Sequence, residues 1–307
     1  MVDLQLELPD SFLQEEIRCG HLITKKMKEV WAIELDLLME LQRVCTKYDL
    51  KLCAESGTLL GAVRHQGFIP WDDDIDVAMP REDYIRLCEI AKEEFASPYF
   101  FDYYGSDVTF DNGFAKLMNL NTTFLQNNTL AYQGIFIDIF PLDNIPDDEG
   151  ERIMQGQYIY KYWRKVGRIS YCSLPYSSMD KGNGLRKVAR FGLYWLYKAL
   201  RMNRGSSYYA RLFSKYEEGC KQYNNKETKY MGTLSTHLNK IPGLYLRSDM
   251  ENLQLANFEF VSIPIAPHYD EVLKGLYGDW HKQVKGTSVH SCLSVDTDNP
   301  YLGNRMK

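Results

Sequence analysis

Four carboxylates fall within five positions of the stretch FIPWDDDIDVAM, which runs from Phe68 to Met79. Like charges this close repel, and the residues that follow form an apolar, strand-like run. Alternate side chains of a strand share a face, so Asp74 and Asp76 are expected to project together while Ile75 and Val77 enter the core. Two carboxylates side by side suit a hard divalent cation held through oxygen, Mg²⁺ first and Mn²⁺ second. A third acid, Asp138, sits inside the apolar run GIFIDIF at 134–140. A lone Asp in such a strand is either buried and paired or facing a site. Upstream, SGTLLG supplies a glycine turn that opens a short helix, and such a turn presents backbone N–H groups to an anion. Gly57 permits close approach there, Thr58 offers a hydroxyl, and Arg64 two turns on can reach a phosphate oxygen.

These side chains need elements to position them. Val30, Ile33, Leu37, Leu41, Val44 and Tyr48 recur at three or four residues and predict a strong helix over 24–48. LKLCA at 50–54 is a short strand, residues 75–79 form a strand that Pro80 ends, and 81–95 form a helix. Strands are expected near 99–104, 113–120 and 134–140, with Pro141 and Pro146 marking the exit. PDDEGE then suits a surface turn and helix start. A further helix is expected near 268–277.

The chain of 307 residues is 45% hydrophobic and 25% charged, an ordinary globular balance that fits one large or two small domains. A net charge of -5 gives no reason to expect a nucleic-acid partner. The seven cysteines form no CxxC pair and argue for reduced thiols rather than a disulfide or zinc framework. No signal peptide and no run long enough to span a membrane is visible, so a cytoplasmic protein is expected.

The block ESGTLLGAVRHQGFIPWDDDIDVAMPREDY closely resembles the signature of the LicD family, phosphocholine transferases that decorate bacterial surface glycans, and fukutin-related proteins carry a similar block. KLMNLNTTF from Lys116, FIDIFPLDNIP from Phe136 and LKGLYGDW from Leu273 extend the resemblance over about residues 24–290. It implies an α/β (α+β) fold of the polymerase β nucleotidyltransferase type: a mixed sheet flanked by helices, here with a basic helical insertion. The expected divisions are an extension over 1–23, a catalytic core over 24–150, a basic aromatic segment over 151–225, and a part over 226–307 that completes the core. Relatives often carry glycine where this chain has Ser56. The family likeness implies a CDP-linked donor such as CDP-choline, attack by a glycan hydroxyl on the phosphorus bearing the choline, and departure of CMP. Asp74, Asp76 and Asp138 are then the catalytic, metal-holding acids. Asp72 is a further ligand or positions Arg64. Ser56, Gly57, Thr58, Gly61, Arg64, Lys116 and Trp71 line the donor, and His290 matches a family histidine.

Plainer roles stand beside these. The acids can form a solvated turn, Asp138 can hydrogen-bond buried backbone, and Arg64 can pair with Asp72 or Asp73. Lys116 can be a solvated strand residue and Trp71 a core residue. The DDD and DID triplets also satisfy the DxD pattern of nucleotide-sugar glycosyltransferases, although SGTLLG and Asp138 argue against that class. A catalytically inactive glycan-binding relative is the third reading, and the presence of all three acids opposes it.

Residues 161–204 hold eleven Lys and Arg against one acid, with eight aromatics interleaved. Within 185–202, Leu185, Val188, Ala189, Gly192, Trp195, Leu196 and Ala199 share one helical face. Arg186, Arg190, Lys198 and Arg201 lie largely on the other. Either the apolar face packs on the core, or the segment meets anionic lipid beside a lipid-linked glycan acceptor.

Overall fold

A computed structural model of the chain describes residues 1–106, 110, 112–126, 132–173, 184–235, 243–284 and 294–302. His290 lies outside them. Seven strands form one mixed sheet: β1 Cys53–Ala54, β2 Asp76–Pro80, β3 Tyr99–Asp102, β4 Ala115–Asn119, β5 Ile135–Ile145, β6 Tyr230–Thr233 and β7 Tyr245–Leu246. Their order is β7-β6-β5-β2-β1, with β4 also paired to β5 and β3 lying beyond β4. β2 and β5 run parallel, and the other pairs are antiparallel. Around the sheet stand α1 Lys25–Lys47, α2 Ser56–His65, α3 Arg81–Glu94, α4 Glu149–Cys172, α5 Gly184–Ala199, α6 Ser207–Cys220 and α7 Tyr269–Tyr277. This is the mixed α/β architecture that the sequence predicts.

Helix α1 begins where the Thr24 hydroxyl accepts the Met27 N–H, a side-chain cap for the first turn. Its apolar stripe packs on β4 and β5. The burial is wider than the stripe, because Lys28, Glu34, Asp36 and Glu40 are also buried. Asp36 shows how such a charge is tolerated: it accepts the backbone N–H groups of Gln5 and Leu6 and the Tyr99 hydroxyl. The N-terminal residues are thereby pinned to the core.

β5 continues through Pro141 to Ile145, where the sequence suggests an exit. The Asp138 N–H points to Ile75 of the β2 side, so the Pro141 nitrogen faces the opposite edge. On that edge pairing with β4 stops at Ile139 and pairing with β6 begins at Leu142. The missing proline N–H falls in the gap between them and costs no ladder bond.

α4 and α6 pack together around a second apolar cluster that includes Ile159, Val166, Ile169, Phe213 and Tyr216. Asp148 caps α4 by accepting the Glu151 N–H, which makes PDDEGE a helix start. The helical pair is tied to the sheet by a buried ion pair, Arg81 Nη2 to Asp143 Oδ2 at 2.6 Å, which Glu217 of α6 joins. Of the two readings of the α5 stripe, core packing is not seen among its described side chains: Val188 is 71% exposed, and Trp195 and Leu196 are each 51% exposed. Arg190 is instead buried, its guanidinium 3.9 Å from the centre of the Tyr171 ring. The six described cysteines are free. No described helix is long and apolar enough to cross a membrane.

Candidate active site

Parallel pairing of β2 with β5 places Asp76 opposite Asp138, and antiparallel pairing of β4 with β5 places Lys116 opposite Asp138 on the other side. One row across three strands therefore reads Asp76, Asp138, Lys116. Lys116 Nζ donates to Asp138 Oδ1 at 2.6 Å and lies 3.2 Å from the centre of the Phe136 ring. Lys116 is thus committed to the acid beside it and does not line the cavity described next.

That cavity has a volume of about 640 Å³ and is lined by Asp72, Asp74, Asp76 and Asp138 together with Gly57, Arg64 and Trp71. Residues 62 positions apart in sequence, Asp76 and Asp138, thus face one space through strand register. β2 starts only at Asp76, so Asp74 stands on the preceding turn rather than in the strand, yet it reaches the same cavity. The tightest acidic group among the described residues is Asp72, Asp73 and Asp74, whose ligand atoms lie within 4.8 Å of one another. Asp76 and Asp138 complete the cavity wall from the sheet. Asp73 is buried and does not line it.

The turn before α2 is sewn to β2. Thr58 Oγ1 accepts the Asp76 N–H at 2.8 Å, and the Glu55 N–H donates to the Asp76 carbonyl at 3.0 Å. Thr58 therefore anchors Asp76 and is itself buried. Ser56 holds a left-handed backbone with φ of 45°, which explains why glycine is at home there. A Cβ on Gly57 would lie 2.7 Å from Asp72 Oδ2, so the missing side chain makes room for that carboxylate at the helix N-terminus. A Cβ on Gly61 would lie 2.4 Å from the Gly67 carbonyl oxygen, so Gly61 serves packing of α2 on the loop and does not line the cavity. Arg64 donates from Nη1 to the Trp280 carbonyl at 2.9 Å and from Nε to His65 at 3.0 Å. That bond joins α2 to the LKGLYGDW segment, which delivers Tyr277 and Trp280 to the cavity.

Electrostatics follow from this crowding. Burial, reinforced by Asp74, Asp138, Asp72 and Glu55, pushes the Asp76 carboxyl well above the usual carboxylate range. Burial, and then Asp76, Glu55, Asp72 and Asp74, raise the Tyr277 hydroxyl. Glu34 of α1 is 1% exposed and is raised by burial and then by Asp74, Asp73, Asp72 and Asp76. Tyr277 and Glu34 are the site residues that periodicity alone does not single out. For Tyr277 the YGDW motif is the available signal; for Glu34 the local sequence carries none.

Glu55 gives a pH prediction. Burial pushes its carboxyl from the ordinary 4.5 up to about 7, although the hydroxyl of Tyr245 donates to it. A raised folded-state value means that the protonated form stabilises the fold: the contribution is complete below 4.5 and is lost as pH rises through 7. The expected size is about 3 kcal/mol. Glu55→Gln should therefore become more stable relative to wild type as pH rises through this window. Parallel stability-pH curves for the two proteins would refute the assignment.

The acids on the cavity offer hard carboxylate oxygens, and its lining residues include no thiol or imidazole. That set fits Mg²⁺ or Mn²⁺. Residues 49–177 match the family described as LicD/FKTN/FKRP, nucleotidyltransferase domain. The chain carries a LicD-family domain. The domain spans β1, α2, β2 and β5, and so holds Asp72, Asp74, Asp76 and Asp138 of the cavity wall, while Asp279 comes from beyond it. Over 263 residues the chain is 28% identical to the lipopolysaccharide cholinephosphotransferase LicD of Haemophilus influenzae, covering 83% of this chain and 91% of that protein. An uncharacterized protein of Rickettsia prowazekii is 40% identical over 110 residues, 34% of this chain and 39% of its own length. One from Rickettsia typhi is 46% identical over 66 residues, 21% of each.

Proposed function

We propose that this LicD-family protein is a metal-dependent phosphotransferase that moves a phospho-alcohol, phosphocholine first, from a CDP-linked donor to a hydroxyl of a cell-surface glycan. The observation that carries the reading is the convergence of Asp74, Asp76 and Asp138 on one cavity with the Gly57 turn in its wall. The likeness to a lipopolysaccharide cholinephosphotransferase over most of both chains supports the choice of substrate. Asp74, Asp76 and Asp138 would hold Mg²⁺ or Mn²⁺, with Asp72 beside them. When bound, the ion would supply charge neutralisation for a diphosphate and its departing CMP.

The chain's own groups account for the rest. Arg64 has five N–H donors and directs one to Trp280 and one to His65, which leaves others for phosphate oxygens. Lys116 positions Asp138, and Asp138 faces the cavity as the base for an acceptor hydroxyl. The acceptor oxygen bonds to phosphorus as the bond to the CMP oxygen breaks, and the hydroxyl proton passes to the base. Trp71, Phe114, Phe140, Tyr277 and Trp280 line the cavity, which suits a base to stack and a quaternary ammonium to bind by cation–π attraction. The test is a panel of CDP-alcohols and UDP-sugars with Mg²⁺, scored by release of the nucleotide. CMP release from CDP-choline in excess of every other donor supports the reading, whereas turnover of UDP-sugars alone rejects it in favour of a glycosyltransferase.

A peripheral membrane contact is part of the same reading, and exposure of the α5 stripe favours it. Val188, Phe191, Trp195 and Leu196 are solvent-exposed beside Lys198, and α4 presents Lys161, Arg164, Lys165 and Arg168 around a shallow surface pocket. An apolar, aromatic ridge flanked by cations matches an anionic bilayer surface. Anionic vesicles should co-sediment the protein at low salt. Replacing Phe191 and Trp195 by Ala should weaken that binding about tenfold. Absence of binding at low salt removes this part of the proposal.

A further inference from the structure

Asp279 takes no part in the transfer described above, yet it lines the same cavity as Arg64, Tyr277 and Trp280. The chain turns there at the end of α7, where Gly278 has a φ of 69° that glycine adopts without strain. The Gly278 N–H donates to the Lys274 carbonyl at 2.9 Å, and the Gly278 carbonyl accepts the Trp280 N–H at 2.9 Å. Tyr277, Asp279 and Trp280 are thereby brought to one cavity. The indole is fixed in place: its Nε1–H donates to Asp270 Oδ1 at 3.0 Å, and the His281 ring stacks on it with centroids 3.9 Å apart. The Asp279 carboxylate is exposed and stands 3.9 Å from His281 Nδ1, too far for a hydrogen bond. Arg64 donates to the Trp280 carbonyl at 2.9 Å, so this segment adjoins the group read above as a phosphate binder.

We infer that Asp279, with Tyr277 and Trp280, forms the subsite for the alcohol end of the donor and selects a cationic alcohol, a quaternary ammonium above all, over a neutral one. The inference rests on the proposed CDP-alcohol reaction and adds a selectivity determinant to it. Charge supports the assignment. A cavity that takes a diphosphate gains nothing from further negative charge, and Asp279 stands apart from the tight acidic group of Asp72, Asp73 and Asp74. An acid on this wall is useful where the donor itself carries a positive charge. A quaternary ammonium also presents methyl groups that pack on aromatic faces, which Tyr277 and Trp280 supply, while Asp279 supplies the counter-charge. Lys282 lines the cavity too, and its N–H donates to the Asp279 carbonyl at 3.2 Å. The competing role for Asp279 is therefore to temper the Lys282 charge that acts on the phosphates.

CDP-choline and its uncharged isostere, CDP-dimethylbutanol, separate the two roles. The isostere has carbon in place of the quaternary nitrogen and keeps the shape and the diphosphate. The full chain is titrated with each by calorimetry, in Mg²⁺ and without acceptor. Wild type should bind CDP-choline about tenfold more tightly than the isostere, and Asp279→Asn should cut that preference to about twofold. Asp279 is exposed, so the substitution leaves the core untouched. A role through Lys282 would shift both affinities alike and leave their ratio at the wild-type value. An unchanged ratio in Asp279→Asn, or equal affinities in wild type, overturns the inference while leaving the CDP-alcohol reading intact. Failure of wild type to bind either compound overturns both.

Discussion

Asp76→Asn is expected to lower phosphocholine transfer by about 10³-fold, equivalent to about 4 kcal/mol of transition-state stabilisation. The same change should leave the fold intact or more stable. Asp76 stands at the start of β2 with Asp138 opposite it, and its charge is opposed by Asp74, Asp138 and Asp72. Removing one like charge relieves repulsion in the absence of a cation, and Asn preserves the side-chain shape. The backbone bonds that hold the position, Asp76 N–H to Thr58 and Glu55 N–H to the Asp76 carbonyl, do not involve the carboxylate. Loss of activity with an unchanged melting temperature therefore reads as loss of a ligand rather than of structure. The assay is CMP release from CDP-choline, with thermal unfolding measured in parallel with and without Mg²⁺. Activity within tenfold of wild type would mean that Asp76 is not a ligand.

Lys116→Met should show the opposite signature. Lys116 and Asp138 are both buried and joined at 2.6 Å. Met fills the same stem volume over the Phe136 ring, so the principal loss is the charge facing Asp138. Removing one partner of a buried pair leaves an uncompensated charge and typically costs about 3–5 kcal/mol. A divalent cation bound by Asp138 replaces that missing positive charge. The variant should therefore be strongly destabilised in EDTA and recover most of its stability in millimolar Mg²⁺, with a larger Mg²⁺-dependent gain than wild type shows. Urea unfolding in the two conditions measures this. Equal destabilisation with and without the ion would place Lys116 in a purely structural role and detach Asp138 from the cation.

Asp74, Asp76 and Asp138 were legible in the sequence because acids inside or beside apolar strands have few outlets. Their meeting in one cavity follows from parallel pairing of β2 and β5, which short-range spacing only suggests. Glu34 and Asp36 were harder. Local periodicity reads them as polar residues between apolar ones, but α1 is enclosed nearly all round. What makes Asp36 tolerable lies 30, 31 and 63 positions away, in Leu6, Gln5 and Tyr99. The α5 stripe illustrates a related limit. Spacing tells which side chains share a face, but not whether that face is covered, and here Arg190 goes inward while Trp195 goes outward. Pro141 failed as a terminator because the strand next to it is interrupted where its N–H is missing. In each case the deciding partner comes from another element, so the information is tertiary.

Diffraction from crystals grown with Mn²⁺ and a CDP-alcohol tests most directly where a divalent ion sits. An anomalous peak contacting Asp74, Asp76 and Asp138, with the diphosphate against it and the Gly57 turn nearby, is the predicted result. A donor bound in the cavity without such a peak, or manganese found only away from Asp76 and Asp138, would contradict it.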